Sequence, residues 1–248
     1  MSSILENKQR IGRFTSSEMY KIMSNDKKGT GIGAIGLTYI EEKKLERQLG
    51  RGLELDATSQ AMRWGSFMEE WVHEKHLSSG YKYMSDVTMV HPEYPELWAG
   101  SQDTIHERER VVSDIKCYEP KNFAVYNNAL IKSKETGDLS YFKEVNKGKE
   151  FYQLLSNACI WGFDLIEAIV FMPYESELDG IKEMAYNYKG ENEWKYRFIY
   201  EGNKTSLACL PDDCKTYKNI NIYRFEVPSL EKDLLISRVK EASKLLNN

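Results

Sequence analysis

Asp103-Thr104-Ile105-His106-Glu107-Arg108-Glu109-Arg110-Val111-Val112-Ser113-Asp114-Ile115-Lys116 decides how the rest of the chain is read. It opens on an isolated carboxylate and closes on an apolar run that ends in a carboxylate, an apolar residue and a lysine. Side chains alternate faces along a strand, so a strand over Arg110–Cys117 projects Asp114 and Lys116 from one face and turns Ile115 into the core. Asp103, on an adjacent hairpin arm, can bring its carboxylate to the same place. Two carboxylates and the carbonyl of Ile115 are hard oxygen ligands suited to Mg²⁺ or Mn²⁺, and the ammonium beside them can orient or activate a water. The same triplet also occurs as a solvated strand edge or a surface ion pair, so its meaning depends on its surroundings.

Three further segments supply them. Upstream, Trp64, Met68, Trp71 and Val72 follow helical spacing within a helix read from Thr58 to about Leu77, with one apolar face turned inward. Glu69 lies at the margin of that face, and Glu70 takes its place if the register differs by one. The plain alternative is an amphipathic helix whose glutamates only face water. At the N-terminal side, Arg10-Ile11-Gly12-Arg13-Phe14-Thr15-Ser16-Ser17 offers Thr15 or Ser16 as cap for a helix beginning near Glu18. Hydroxyls and an arginine at a helix N-terminus also suit a phosphate. Downstream, Gln153 lies in Phe151–Ala158, within a helical pattern ending at Trp161-Gly162.

In this order, from about Arg10 to about Pro173, these segments resemble the PD-(D/E)XK nuclease superfamily, and within it phage lambda exonuclease and its YqaJ-like relatives. Asp103, Asp114 and Lys116 carry the superfamily's D…DxK signature. Trp64-Gly65-x-x-x-Glu69 is similar to the helix before the catalytic hairpin, and Gln153 falls on a glutamine that lines the active site. Arg10, Ser17 and Ser101 fall on the arginine and two serines that hold a terminal 5′-phosphate. There are two departures: Gln102 stands where the superfamily often has proline, and Asp114 where the family usually has glutamate. Asp179 to Leu210 matches nothing in the pattern.

The resemblance implies an α/β fold, a single domain with a mixed central β-sheet flanked by helices and a restriction-endonuclease-like core. The catalytic core would span about 58–173, with the N-terminal helical part, 10–57, contributing to DNA-end binding. Asp103, Asp114 and the Ile115 carbonyl would hold Mg²⁺, with Mn²⁺ as a substitute and Glu69 acting directly or through water. Lys116 would position or deprotonate the attacking water, and Gln153 would help orient it. The implied activity is 5′-to-3′ degradation of linear duplex DNA, leaving single strand for recombination. By family analogy the partners are DNA ends, a single-strand annealing protein and further copies of the chain in a trimer, in a phage or prophage setting. Two alternatives stay open: an endonuclease of the same superfamily, of restriction or nicking type, and a catalytically inactive DNA-binding relative. Intact Asp103, Asp114 and Lys116 speak against the second.

Composition sets the outer bounds. The 248 residues allow one large α/β domain. No run is long and apolar enough for a bilayer, and the N-terminal residues lack a signal-peptide core, so the expected compartment is the cytoplasm. Cys117, Cys159, Cys209 and Cys214 show no paired spacing for zinc. An iron–sulfur cluster, as in the related CRISPR-adaptation nucleases, is rejected because no cysteine precedes Cys117. His73 and His76 are three apart, not the four a zincin helix needs. A net charge of −4 argues against nonspecific coating of DNA but permits local positive potential. Lys121, Lys132, Lys134, Lys143, Lys147 and Lys149 are candidate phosphate contacts or ordinary solvated lysines. Lys28–Gly33 reads as a mobile loop that lacks the features of a phosphate loop.

Along the chain, helices are expected over Thr15–Met23, Ala34–Leu49, Thr58–Leu77, Asn122–Leu130, Gly148–Trp161 and Ser229–Leu246. Strands are expected over Val87–Val90, Leu97–Ser101, Arg110–Cys117 and Ile166–Met172, with strand-like runs at Ile181–Tyr188, Trp194–Tyr200 and Ile220–Phe225.

Overall fold

The computed structural model describes residues 8–53, 59–84, 87–188 and 193–247. A turn over 8–13 leads into β1 (Phe14–Thr15), a 3-10 turn at Ser16–Glu18, α1 (Met19–Met23) and α2 (Ala34–Leu49). The helix α3 (Gln60–His76) precedes three short strands, β2 (Lys82–Tyr83), β3 (Met89–Val90) and β4 (Trp98–Gly100). The decisive stretch forms a hairpin of β5 (Thr104–His106) and β6 (Val111–Lys116). Three helices, α4 (Pro120–Thr136), α5 (Ser140–Glu144) and α6 (Lys149–Trp161), lead to β7 (Leu165–Phe171). Two more, α7 (Leu178–Asn187) and α8 (Arg197–Tyr200), precede β8 (Ile220–Glu226) and α9 (Ser229–Leu246).

The main sheet runs β2-β5-β6-β7-β8, with β6 and β7 parallel and the other neighbours antiparallel. Strand alternation divides β6 between two cores. Val112 joins the cluster that includes Leu154 and Leu155 of α6, whereas Ile115 packs with Trp64, Phe67 and Met68 of α3. Asp114 and Lys116 share the Val112 face, so they point toward α6. A separate three-stranded sheet, β1-β4-β3, stands in addition to the expected central one; Phe14 and Thr15 lie parallel to Trp98 and Ala99.

The expected boundaries shift in several places. Thr15 belongs to a strand, and neither Thr15 nor Ser16 caps a helix, because their hydroxyls meet the Tyr39 and Ser156 hydroxyls. Helix α3 is capped by Ser59, whose side chain accepts from Met62 N at 3.2 Å; Thr58 lies outside the described residues. Helix α4 extends both ways from the expected span, with Pro120 in its first turn, where a missing N–H costs nothing. The runs at 181–188 and 194–200 are helical, not strands. In α7, Leu178, Ile181 and Ala185 are buried at helical spacing, and Tyr196 and Ile199 repeat the pattern three residues apart. No helix among the described residues is long and apolar enough to cross a membrane.

Candidate active site

Ladder register brings the first two carboxylates together. Thr104 pairs with Ser113 in the β5–β6 hairpin, so Asp103, one residue before, stands opposite Asp114, one residue after. Directly opposed side chains have Cβ atoms about 5 Å apart, and like charges there repel. Asp103 answers by turning Oδ2 onto the Ile115 amide at 2.6 Å, while its own carbonyl accepts from Met84 N at 2.8 Å. The N–H and C=O of a strand residue point to the same side. The Ile115 carbonyl therefore faces the Asp103 side, beyond the last β5 pairing.

Asp114 is 1% exposed and held on both oxygens. Gln153 Nε2, from α6, donates to Oδ1 at 2.8 Å, and Lys116 Nζ lies 2.6 Å from Oδ2, which lacks a well-directed hydrogen bond. Glu69 reaches the same cluster from the rim of α3, where its charge acts on Asp103 and is itself acted on by Lys116 and Asp114. Burial pushes its carboxyl up to about 7, against the opposing pull of Lys116. Burial also raises Asp103 well above the usual carboxylate range, reinforced by Glu69 and Asp114. Asp114 is raised by burial and partly restored by Lys116. Burial works to lower Lys116, but Asp114 and Asp103 outweigh it and hold the ammonium charged. Three carboxylates thus share one compensating cation, and their full ionisation calls for another.

The residues fit a hydrated hard cation. Among the described residues no group of three or more His, Cys, Asp or Glu side chains is gathered into a metal-holding cage. Mg²⁺ does not require one: it is commonly held by one or two carboxylates, with waters and substrate oxygens completing its shell. Asp103, Asp114 and the Ile115 carbonyl supply oxygen donors on one side of β6, and excess negative charge surrounds them. His73 and His76 are committed elsewhere, to Tyr81 O and the Glu177 carboxylate.

The site opens into a cleft of about 840 Å³, whose lining includes Ser17, Glu69, Lys116, Glu150 and Gln153. Of the six candidate phosphate-contacting lysines, Lys149 also lines this cleft. Lys132 instead lies over Tyr141, Lys134 donates to Arg224 O, Lys143 pairs with Glu231, and Lys147 lines a separate cavity.

Arg10 joins the two distant serines. Its Nη1 lies 3.5 Å from Ser101 Oγ and its Nη2 3.5 Å from Ser17 Oγ, long contacts that leave donor capacity. The segment carrying it is anchored at Gly12, whose N–H donates to Glu46 and whose carbonyl accepts from Arg47. Ser101 is held by Thr88, hydroxyl to hydroxyl at 2.9 Å, and by Asn157, which donates to its carbonyl at 3.0 Å.

One neighbour escaped the sequence reading, and a second, noted there only as a departure from the pattern, proves to tie the site together. Glu150, buried one helical turn before Gln153, accepts from Tyr118 Oη at 2.6 Å and Asn146 Nδ2 at 2.9 Å, and its Oε2 is buried without a hydrogen bond. Its i, i+3 relation to Gln153 is the signal that could have found it. Gln102, standing where proline is frequent in the resembled superfamily, accepts from Trp161 Nε1 at 2.8 Å and so ties the hairpin to α6.

No protein-family model matches this chain, and no curated protein does. Solved structures do. An alkaline exonuclease from Laribacter hongkongensis (LHK-Exo) aligns with a TM-score of 0.60 at 15% identity, covering 96% of this chain and 89% of the other. The same exonuclease in complex with dAMP aligns at 0.57 and 14%, covering 97% and 90%. A phage-related exonuclease from Haemophilus somnus 129PT aligns at 0.56 and 14%, covering 94% and 93%. At these identities the likeness is one of fold: this chain shares, over nearly its whole length, the fold of these exonucleases.

Proposed function

We propose that this protein is a divalent-metal-dependent deoxyribonuclease of the PD-(D/E)XK superfamily, an exonuclease of the lambda type acting from the 5′ end of linear duplex DNA. The observation that carries the reading is the meeting of Arg10, Ser17 and Ser101 beside a cleft that also holds Glu69 and Lys116. A terminal phosphate carries more charge than an internal diester and exposes more acceptor oxygens, so an arginine flanked by two hydroxyls favours it. A structural neighbour captured with dAMP supports a deoxynucleotide as the chemical class of ligand.

Asp103, Asp114 and the Ile115 carbonyl would hold Mg²⁺, or Mn²⁺ in its place, with Glu69 direct or through water. The bound cation would supply charge stabilisation for the pentavalent phosphate and for the departing 3′-oxygen. Lys116, whose ammonium lies 2.6 Å from the Asp114 carboxylate, would position or deprotonate the attacking water. Gln153 holds the Asp114 carboxylate in place. Arg10, Ser17 and Ser101 fix the 5′ phosphate and hence which diester reaches the carboxylates. The 5′-to-3′ polarity, a trimeric assembly, an annealing protein as partner, a recombination role and a cytoplasmic setting in a bacterial host follow from the family resemblance and complete the reading.

The test is linear duplex with and without 5′-phosphate, in Mg²⁺, beside closed circular DNA. Phosphorylated ends should be degraded faster, circles should resist, and Arg10→Ala should erase most of the difference between the two ends. Equal rates on both ends, or rapid cutting of circles, would remove the 5′-end exonuclease reading and leave only a metal-dependent nuclease.

A further inference from the structure

The mouth of the cleft carries an aromatic surface that the carboxylate chemistry does not use. Trp194 is 64% exposed and Met62 54%, a large apolar display beside a polar cavity. Trp194 and Phe198 are four residues apart on consecutive helical turns, and Phe198 lines the cleft. Between them and α3 lies the Arg63 guanidinium, 5.8 Å from the Trp194 ring centre and 5.5 Å from that of Phe198. Arg63 Nε is buried and has no hydrogen-bond partner, a donor left unspent.

Met62, which lines the cleft next to Arg63 in sequence, lies a fixed helical rise from Glu69. Met62, Gly65, Ser66 and Glu69 fall at i, i+3, i+4 and i+7, one face of α3, and all four line the cleft. Seven residues of helix rise about 10 Å, close to three stacked nucleotides at about 3.4 Å each. A Cβ added at Gly65 would meet no atom within 4 Å, so the cleft is open above the helix midway between Met62 and Glu69.

We propose that Trp194, Phe198 and Arg63, with Met62 at the edge, form a subsite for an unpaired nucleobase of the strand entering the cleft. It rests on the nuclease reading above and adds to it a contact with the base rather than with the phosphate. Every nucleobase presents a π-face to an aromatic ring, so the contact is indifferent to sequence; a guanidinium against the rings adds a cation–π component. A base inside intact duplex cannot offer its face, so the subsite selects strand ends that have come apart.

The experiment uses the full-length protein with chelator and a fluorescein-labelled ten-nucleotide oligodeoxythymidylate, read by anisotropy, against the same oligonucleotide with abasic sites at its first three 5′ positions. Trp194→Ala should weaken binding of the intact oligonucleotide at least fivefold, the low end for loss of one stacked base, and Trp194→Phe should restore most of it. The abasic oligonucleotide should bind the wild type about as weakly as the intact one binds Trp194→Ala, with no further loss in the variant. Equal binding by wild type and Trp194→Ala overturns the proposal. So does an equal loss on both oligonucleotides, or a change confined to oligomeric mass in sedimentation, which would assign Trp194 to a contact between copies. Binding is read without metal, so the expected pattern together with no cleavage of any DNA in Mg²⁺ would sink the nuclease reading and leave the base subsite standing.

Discussion

Replacing Glu69 by glutamine should stabilise the metal-free protein while removing its activity. Burial raises the Glu69 carboxyl from 4.5 to about 7. A tenfold change in an acid's dissociation constant corresponds to about 1.4 kcal/mol, so ionising this group in the folded state costs at most about 3.5 kcal/mol, trimmed to about 1–3 kcal/mol because the residue is only partly shielded from solvent. The sign follows from linkage: a carboxyl whose folded pKa is raised favours folding fully below about pH 4.5 and loses that contribution as the pH rises through about 7. Glutamine resembles the protonated acid in shape and carries no charge at any pH. Thermal unfolding in chelator at pH 8 should therefore show Glu69→Gln melting about 3–10 °C above wild type, at about 2–4 °C per kcal/mol for a domain of this size. At pH 4 the two should nearly coincide. Saturating Mg²⁺ should stabilise the wild type more than the variant, because a ligand that binds only the native state stabilises it by mass action. A variant no more stable than wild type at pH 8 in chelator would refute the account of a carboxylate cluster short of a cation.

Asp103→Ala, Asp114→Ala and Lys116→Ala should each abolish Mg²⁺-dependent DNA degradation with the circular-dichroism spectrum retained, and Glu70→Gln should keep activity where Glu69→Gln loses it; substantial nuclease activity in Asp114→Ala would discard the site. Gly65→Leu meets no atom within 4 Å of the new Cβ, so it should fold normally yet slow degradation of duplex at least tenfold by filling the cleft; unchanged KM and kcat would place the DNA elsewhere. Gly100→Ala should cost at least about 1–3 kcal/mol in urea unfolding, because its Cβ would lie 2.1 Å from Ser16 Oγ and 2.3 Å from Asn157 Oδ1; wild-type stability there would mean that this packing relaxes freely.

The strand at Val111–Lys116, the helices at 34–49, 149–161 and 229–246, and the pairing of Asp114 with Lys116 were legible because each depends on periodicity within one short segment. The amphipathic α3 with Glu69 at its margin was legible for the same reason. Local pattern misled where tertiary burial disagreed with it. Trp194, Tyr196, Phe198 and Tyr200 alternate like a strand, yet burial falls on Tyr196 and Ile199, and the segment turns helical to deliver them to the α3 side of the sheet. Phe14 and Thr15 form a strand only because Trp98 and Ala99 arrive beside them, a partner 84 residues away that no window on the sequence contains. The site divides the same way. Strand alternation alone put Asp114 and Lys116 on one face. The opposition of Asp103 to Asp114, the reach of Arg10 to both Ser17 and Ser101, and the burial of Glu150 beside Gln153 arise only when the hairpin, the N-terminal segment and α6 are packed together. Residue types and short-range spacing are properties of the chain, whereas the burial that moves a carboxyl to about 7 belongs to the assembled surroundings, because desolvation depends on atoms contributed by every element that covers it.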